Sequence, residues 1–248
     1  MQSPEENRHF LKTDTWEELL NIQTDQEKKI PHPPLQQPYP EGAPLIDLVP
    51  PADFTVGNLS VREAIAQRQS QRWFTDAPLS LEELSFLLWA TQGIHEIWRG
   101  GVATRRTVPS AGARHPFETY LMIHNVTSLE PGLYRYLAVD HRLCRLSDLP
   151  SEEQAKVAFH GQMFAIKSAV TVIWTAVPYR TEWRYHAASA KLIAVDSGHV
   201  CQNMYLACAA IGAGTCAIGA YSQKALDVLL GVDGVDEFAV YVAPIGKV

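Results

Sequence analysis

Five consecutive polar residues form the first group that could do chemistry: Arg68, Gln69, Ser70, Gln71 and Arg72. Guanidinium groups make forked hydrogen bonds to phosphate oxygens, and a hydroxyl between two of them can add another. The group follows a predicted helix and suits a phosphate monoester. A solvated polar turn would explain the same residues.

A second group lies in TRRTVPSAGARHPFETY, residues 104–120. Small side chains let backbone N–H and C=O groups approach a flat ligand. Arg105, Arg106 and Arg114 could supply positive charge beside it. The alternative is a tight turn before a strand. The small residues are Pro109, Ser110, Ala111, Gly112 and Ala113.

A third segment, GAGTCAIGA at residues 212–220, leaves the backbone amides of Gly219 and Ala220 free before a predicted helix. It lacks the GxGxxG spacing of a Rossmann site, and the chain has no GxxxxGK[ST] loop for a nucleoside triphosphate. The segment therefore offers amide donors without a dinucleotide motif.

A polar stripe runs along an otherwise apolar helix, where Asp196, His199 and Asn203 share one face. Buried polar groups must be paired, so we expect a structural network, with a general-acid role for His199 as the alternative. The segment EWRYH, residues 182–186, could face a ligand or form an aromatic surface turn.

Composition excludes several classes of protein. A net charge of -6 argues against a nucleic-acid partner. No stretch approaches the roughly 18 apolar residues of a membrane helix, and the first residues lack a signal-peptide core, so we expect a cytoplasmic protein. No zinc-ligand spacing and no GxSxG elbow occur, which argues against a metal site and a serine hydrolase. We expect buried, reduced cysteines at Cys144, Cys201, Cys208 and Cys216.

The chain divides into an arm, residues 1–57, and a compact domain, residues 58–248. The arm has a helical pattern over residues 15–21 and then a proline-rich segment. Proline fixes φ and removes a donor, so this segment should be extended. Its apolar residues favour packing on the body or on a second subunit over a disordered tail.

The domain should mix helices with a mostly buried sheet. Helices are predicted after Asn58, from Ser80 to Gly93 with a capping box at Glu83, and over 187–212, where a pattern that is apolar nearly all round indicates a central buried helix. A last helix lies between Ser222 and Gly231. The predicted strands are PFETYLMIH, GLYRYLA, HRLCRL, AVTVIWTAV and EFAVYVAPIGKV.

Taken in order, these segments resemble the FMN-dependent nitroreductase family. They look most like its SagB-type dehydrogenases, which oxidise peptide thiazolines and oxazolines to azoles. RQSQRWF resembles the family's opening motif, and TVPSAGARHPFETY resembles the branch's Pro-Ser-Ala-Gly-Ala signature. DSGHVCQNMYLACAAIGAGTCAIGAY resembles the flavin-carrying helix and loop. The resemblance implies an α+β fold with a central, mostly antiparallel sheet, a long buried central helix and an extended arm.

The resemblance also implies a homodimer with FMN at its interface. Arg68, Ser70 and Arg72, with Gln69 nearby, would hold the phosphate and ribityl chain. Residues 109–113 would pack on the ring from the partner subunit. The remaining implied cofactor residues are Ile218, Gly219 and Ala220 near N5, Gln162 at the polar edge of the ring, and Lys247 at the phosphate.

The implied chemistry is ping-pong electron transfer, with NAD(P)H as a possible donor. A Lys-Tyr pair tied to catalysis in the azoline-oxidising branch matches Arg184-Tyr185 here. Arginine stays protonated and cannot act as a base, whereas the tyrosine can act as acid or base. Peptide azoline oxidation and NAD(P)H-driven reduction of nitro compounds or quinones both stay open. So do a non-catalytic flavin-binding subunit of a larger complex and a flavin-free homologue.

Overall fold

A computed structural model describes residues 3–248. Its main sheet has seven strands in the order β1-β6-β5-β4-β7-β9-β8, and every neighbouring pair is antiparallel. A two-stranded ribbon, β2-β3, stands apart. The strands are β1 Leu45–Asp47, β2 Ile94–Trp98, β3 Ala103–Arg106, β4 Phe117–Ile123, β5 Gly132–Leu137, β6 Arg142–Ser147, β7 Val170–Ala176, β8 Ala213–Thr215 and β9 Phe238–Lys247.

Helices cover both faces of the sheet. Alternate residues of β4 point to opposite faces, so Leu121 joins the core beneath α4 and α7, and Met122 joins the core beneath α5 and α8. This two-sided burial explains the continuous apolar strands. The helices are α1 Pro4–Asn7, α2 Asp14–Leu19, α3 Val61–Gln67, α4 Leu81–Gln92, α5 Glu152–Ala158, α6 Tyr179–Tyr185, α7 Ser189–Ala210 and α8 Gln223–Leu230.

Helix ends follow the predicted signals with one correction. The capping box of Ser80 and Glu83 begins α4, and Gly93 caps its end. The predicted cap of α3 at Asn58 was wrong, because Ser60 caps that helix through a box with Glu63. The Asn58 amide instead donates to the carbonyl of Thr55 at 2.6 Å.

The long helix α7 is buried along one side only in the single chain. Val200 and Met204 are in the core. The opposite side is exposed at Ala194, Val195, Gly198, His199 and Gln202. The predicted long helix is therefore buried on its core side. In the single chain, an uncovered strip formed by the five exposed residues runs along its other side.

The proline-rich arm lies on its own chain. Arg180 Nε donates to the carbonyl of Pro34 at 2.9 Å, and Arg135 Nη2 donates to the carbonyl of Pro38 at 2.7 Å. The arm then adds β1 to the sheet edge beside β6. Proline carbonyls are strong acceptors without a matching N–H, so the arm supplies oxygens to buried arginines. The boundary at residue 57 stays a prediction.

All four cysteines are buried and free of disulfides. Burial raises the pKa of the Cys201 thiol to about 12, so this sulfur stays protonated near neutral pH. Within residues 3–248, no helix combines the length and the apolar character needed to span a bilayer.

One ion pair is almost completely buried. Arg180 on α6 contacts Glu118 on β4, and their side chains are 1% and 3% exposed. Glu118 also accepts from the backbone N–H of Gln37 in the arm at 2.8 Å. A buried charge is tolerated only when it is paired and hydrogen-bonded.

Replacing Glu118 with Ala should therefore destabilise the fold strongly. Removing one partner of a buried pair typically costs about 3–5 kcal/mol, because the other charge stays buried. Urea unfolding would measure the loss. The matched control is Asp148→Ala, whose partner Arg145 lies at the surface, and we expect a loss below about 1 kcal/mol there. Equal losses in both variants would contradict the anchoring role of the Arg180–Glu118 pair.

Candidate active site

The polar segment 68–72 runs beside the loop that follows β8. Ser70 forms a β-bridge with Thr215, and the N–H of Gln71 donates to the Thr215 carbonyl at 2.9 Å. Tyr205 on α7 joins the two segments, because its hydroxyl lies 3.1 Å from Ser70 Oγ and accepts from Ala217 N at 2.9 Å. We call residues 68–72, Gln162, Tyr205 and 217–220 the first cluster.

The first cluster has unused donors. The guanidinium of Arg68 lies over the ring of Tyr205 at 5.4 Å, and that of Arg72 lies over Phe164 at 6.0 Å. Neither arginine forms an ion pair with a carboxylate in the described part of the chain. Two cations without a counter-charge, beside two hydroxyls, fit a phosphate monoester.

The far end of the first cluster presents backbone amides. The N–H groups of Gly219 and Ala220 donate no hydrogen bond among residues 3–248, and both residues are exposed. Gln162 Nε2 donates to the Ala220 carbonyl at 2.7 Å, which brings this distant side chain to the loop. Ile218 is buried and holds the loop to β9 through paired backbone bonds with Val242. These amides suit an acceptor atom of a ligand.

Lys247 stands apart from this cluster. Its ammonium lies 2.5 Å from Glu83 Oε1 and donates to the carbonyl of Ile211 at 2.9 Å. The lysine is thus paired at the end of β9, and no contact brings it to Arg68 or Arg72.

The small-residue loop is tied to α7 by one carboxylate. Asp196 accepts from Ser110 Oγ at 2.6 Å and from the N–H of Ala111 at 3.1 Å. Ser110 Oγ also accepts from the N–H of His115 at 2.9 Å. Its hydroxyl is therefore occupied inside the loop. Gly112 and Ala113 have φ of 59° and 54°, a conformation held by this anchoring.

Arg184 and Tyr185 pack directly on that loop. A Cβ placed on Gly112 would lie 2.6 Å from Tyr185 Oη and 3.0 Å from Arg184 Cδ. Glycine favours this φ, and a larger residue would have to displace the ends of the Tyr185 and Arg184 side chains. The Arg184 guanidinium lies 5.5 Å from the Tyr185 ring centroid. We call residues 109–113, Arg184, Tyr185 and Asp196 the second cluster.

The other arginines of the opening segment all have contacts within the protein, and their expected role beside a ligand stays a prediction. Arg105 pairs with Glu96 on the ribbon at 2.9 Å. Arg106 Nη1 donates to Gln92 Oε1 at 2.8 Å. Arg114 is buried against Trp183, and burial lowers its pKa to about 10. Arg105 and Arg106 thus pair with side chains of the protein, whereas Arg114 Nη2 is buried without a hydrogen-bond partner among the described residues.

The polar stripe on α7 is mainly structural. Asp196 holds the loop, and Asn203 donates to the carbonyl of Ala90 at 2.8 Å. His199 is 45% exposed and lies 3.9 Å from Asp196, on the uncovered strip. The predicted structural network is confirmed for Asp196 and Asn203.

The two clusters use opposite faces of α7. Asp196 and Tyr205 are nine residues apart, which is two and a half turns and roughly 13 Å along the axis. No hydrogen bond or ion pair joins the clusters among residues 3–248. A single chain therefore presents two separate clusters, one on each face of α7.

Sequence reasoning missed Tyr205 and Phe164. Tyr205 is a polar aromatic residue in a helix whose sequence is mostly apolar, and its place on the face opposite Asp196 was the only signal. Phe164 gave none, because its contact with Arg72 joins segments more than ninety residues apart.

Comparison with known proteins assigns this architecture. The model of the nitroreductase family matches residues 65–247. The chain belongs to the nitroreductase family. It is therefore a nitroreductase-type oxidoreductase, and members of this family usually bind flavin.

Relatives show how far the likeness extends. A Methanocaldococcus jannaschii protein whose name assigns it to the nitroreductases is 30% identical over 192 residues, covering 77% of this chain and 93% of that one. A solved nitroreductase-type structure from Ralstonia eutropha is 26% identical with a TM-score of 0.64, covering 88% and 98%. The trifolitoxin-processing protein TfxB of Rhizobium leguminosarum is 28% identical over 142 residues, 54% of this chain and 38% of TfxB.

The Asp196 tether should show a characteristic pH dependence. Burial raises the pKa of this carboxyl above its ordinary 3.8, against the opposing hydrogen bonds from Ser110 and Ala111. The folded state therefore binds the proton more tightly, and the wild type loses stability as the pH rises through this pKa. Asp196→Asn cannot ionise, so its stability relative to wild type should increase from about pH 4 to about pH 7.

Urea unfolding at several pH values measures this difference. Asp233→Asn is the matched control, because backbone hydrogen bonds from Glu237 and Val235 lower the pKa of Asp233. Its stability relative to wild type should change little from about pH 4 to about pH 7 and should rise below about pH 4, where the wild type loses the stability that ionised Asp233 provides. A similar increase between pH 4 and pH 7 in both variants would contradict the burial argument for Asp196.

Proposed function

We propose that this protein is an FMN-dependent oxidoreductase that works as a homodimer. Each FMN lies between the first cluster of one subunit and the second cluster of its partner. The placement of the two clusters on opposite faces of α7 carries this proposal. Neither cluster alone has both the phosphate donors and the flat, small-residue wall that one flavin requires. A twofold axis beside α7 would bring the first cluster of one subunit next to the second cluster of the other.

The uncovered strip on α7 supports such a dimer. Gly198 has no atom within 4 Å of the position its Cβ would take, and its exposed neighbours include Ala194 and Val195. Small residues on a helix face allow a second helix to approach closely. An exposed apolar strip on a long helix is typical of an interaction surface.

In this proposal the first cluster holds and orients the cofactor. Arg68, Arg72 and the Ser70 hydroxyl bind the phosphate and ribityl chain, because they are the unpaired donors. The N–H of Gly219 or Ala220 would donate to the ring nitrogen that accepts hydride, and Gln162 fixes the carbonyl side of that loop. FMN, when bound, supplies the hydride chemistry, and the protein supplies position and electrostatics.

The second cluster forms the opposite wall. Gly112 and its neighbours let the backbone approach a flat ring, and Asp196 keeps the loop in place. The hydroxyl of Tyr185 forms no hydrogen bond among residues 3–248, so it is available to give or take a proton. Arg184 adds a fixed positive charge that favours a negative charge developing on ring or substrate.

Two substrate classes fit this site, with NAD(P)H as the electron donor for the second. Peptide azoline oxidation is supported by the Pro-Ser-Ala-Gly-Ala motif and by the likeness to a trifolitoxin-processing protein. Reduction of nitro compounds or quinones is supported by Arg184, because the azoline-oxidising branch has a lysine there. A proton acceptor at that position requires a group that can lose its proton, and arginine does not.

Complementation between two damaged chains tests the shared site. Arg68→Gln/Arg72→Gln removes the phosphate donors, and Gly112→Val fills the second cluster. Each homodimer should lose most of its FMN. Heterodimers isolated with two affinity tags should regain about one FMN per two chains, because one of the two sites then contains only intact halves.

Absorbance of the purified dimers and chromatography of the released cofactor measure the result. Arg62→Gln on α3 is the control, an exposed arginine outside both clusters. Heterodimers without FMN would mean that both halves come from one chain. A wild type that takes up no FMN overturns the oxidoreductase proposal. Bound FMN that no nicotinamide reduces and no acceptor reoxidises supports a non-catalytic subunit.

Arg184→Lys tests the substrate choice. We expect the variant to gain thiazoline-peptide oxidation, by about tenfold or more over wild type, because a lysine beside Tyr185 can act as a base. Quinone reduction should change less. Mass spectrometry follows the loss of two hydrogens from the peptide. Continued inactivity of the variant would mean that residue 184 does not limit azoline chemistry.

A further inference from the structure

The helix that carries Arg184 and Tyr185 is held by the arm along its whole length. Tyr179 donates to Asp25 Oδ2 at 3.0 Å, and Arg180 Nε donates to the Pro34 carbonyl at 2.9 Å. Trp183 Nε1 donates to the carbonyl of Ile30 at 2.9 Å. All three contacts join α6, a helix of only seven residues, to a segment far away in sequence.

The arm continues over the end of α6. Lys191 Nζ donates to the carbonyls of Leu11 and Lys12 at 2.6 and 3.2 Å. After these Lys191 contacts, the ring of Trp16 on α2 packs edge-on against the ring of Tyr185, with centroids 5.8 Å apart. Trp16 is 39% exposed, so much of its surface is covered.

Besides Trp16, the Tyr185 side chain packs on the Gly112 loop and lies beside the Arg184 guanidinium, and neither contact is a hydrogen bond. Its neighbour His186 adopts φ 42° and ψ −126°, so the backbone turns sharply just after the tyrosine. Such a conformation persists only where the surroundings hold it. The hydroxyl has no hydrogen bond among residues 3–248, and the ring lies between the Gly112 loop on one side and Trp16 on another.

We propose that Trp16 is a positioning residue, which acts through Tyr185 to set the direction of its phenol at the second cluster. The catalytic consequence of this proposal rests on the proposed function, whereas the contact between Trp16 and Tyr185 is independent of it. An aromatic ring packed edge-on resists rotation of its partner. Loss of Trp16 leaves Tyr185 free to turn away from Gly112 and from a bound substrate.

The experiment compares Trp16→Ala and Trp16→Phe, each alone and combined with Tyr185→Phe. Leu20→Ala is the control, because Leu20 follows α2 and is 88% exposed. With NADPH and 1,4-benzoquinone, Trp16→Ala should lower kcat about three- to tenfold with little change in KM. Trp16→Phe keeps a ring and should retain most of the rate. In the Tyr185→Phe background, Trp16→Ala should add no further loss.

A second readout needs no turnover. Nitration of Tyr185 by tetranitromethane, followed by mass spectrometry of the peptide, should be several-fold faster in Trp16→Ala and near wild type in Trp16→Phe and Leu20→Ala. Equal nitration in all variants overturns the proposal, as do independent losses of rate in the double variant. Faster nitration in a protein without flavin turnover would refute the proposed function and keep the positioning role.

Discussion

The buried ion pair between Arg180 and Glu118 is the constraint on which the arrangement depends. It joins the central strand β4, the short helix α6 and the arm at one point. Because neither charge can be left alone inside the protein, these three parts must assemble together. The loop of the second cluster precedes β4, and the Arg184-Tyr185 pair ends α6. The contact between Arg180 and Glu118 therefore places the loop and the pair next to each other.

Local signals predicted most of the fold. The capping box of Ser80 and Glu83 spans the first turn of α4, so four consecutive residues were enough to predict where that helix begins. Asn58 misled because it is as good a cap as Ser60, and only the acidic residue at position 63 distinguishes them. Strands β1 and β8 are three residues long, and each exists because a neighbouring strand pairs with it. No periodicity develops over so few residues.

The sequence identified the segments of the candidate site, but it did not predict which side chains contact one another there. Residue types singled out the Arg68–Arg72 segment and the small-residue loop, because phosphate donors and bare backbone are chemical requirements. Types alone could not separate Arg68, which keeps its charge available, from Arg114, which is buried against Trp183. That difference comes from burial. The pairing of Lys247 with Glu83 likewise depends on where β9 ends relative to α4.

The two-sided use of α7 has a consequence for how the protein would respond to its ligands. In the proposed dimer, one helix would support the phosphate side of one flavin through Tyr205 and the ring side of the other through Asp196. Binding at one site would then restrain a helix that both sites share, so the second flavin would bind to a helix whose motion is already reduced. Cofactor binding in that dimer would be cooperative without any change of shape.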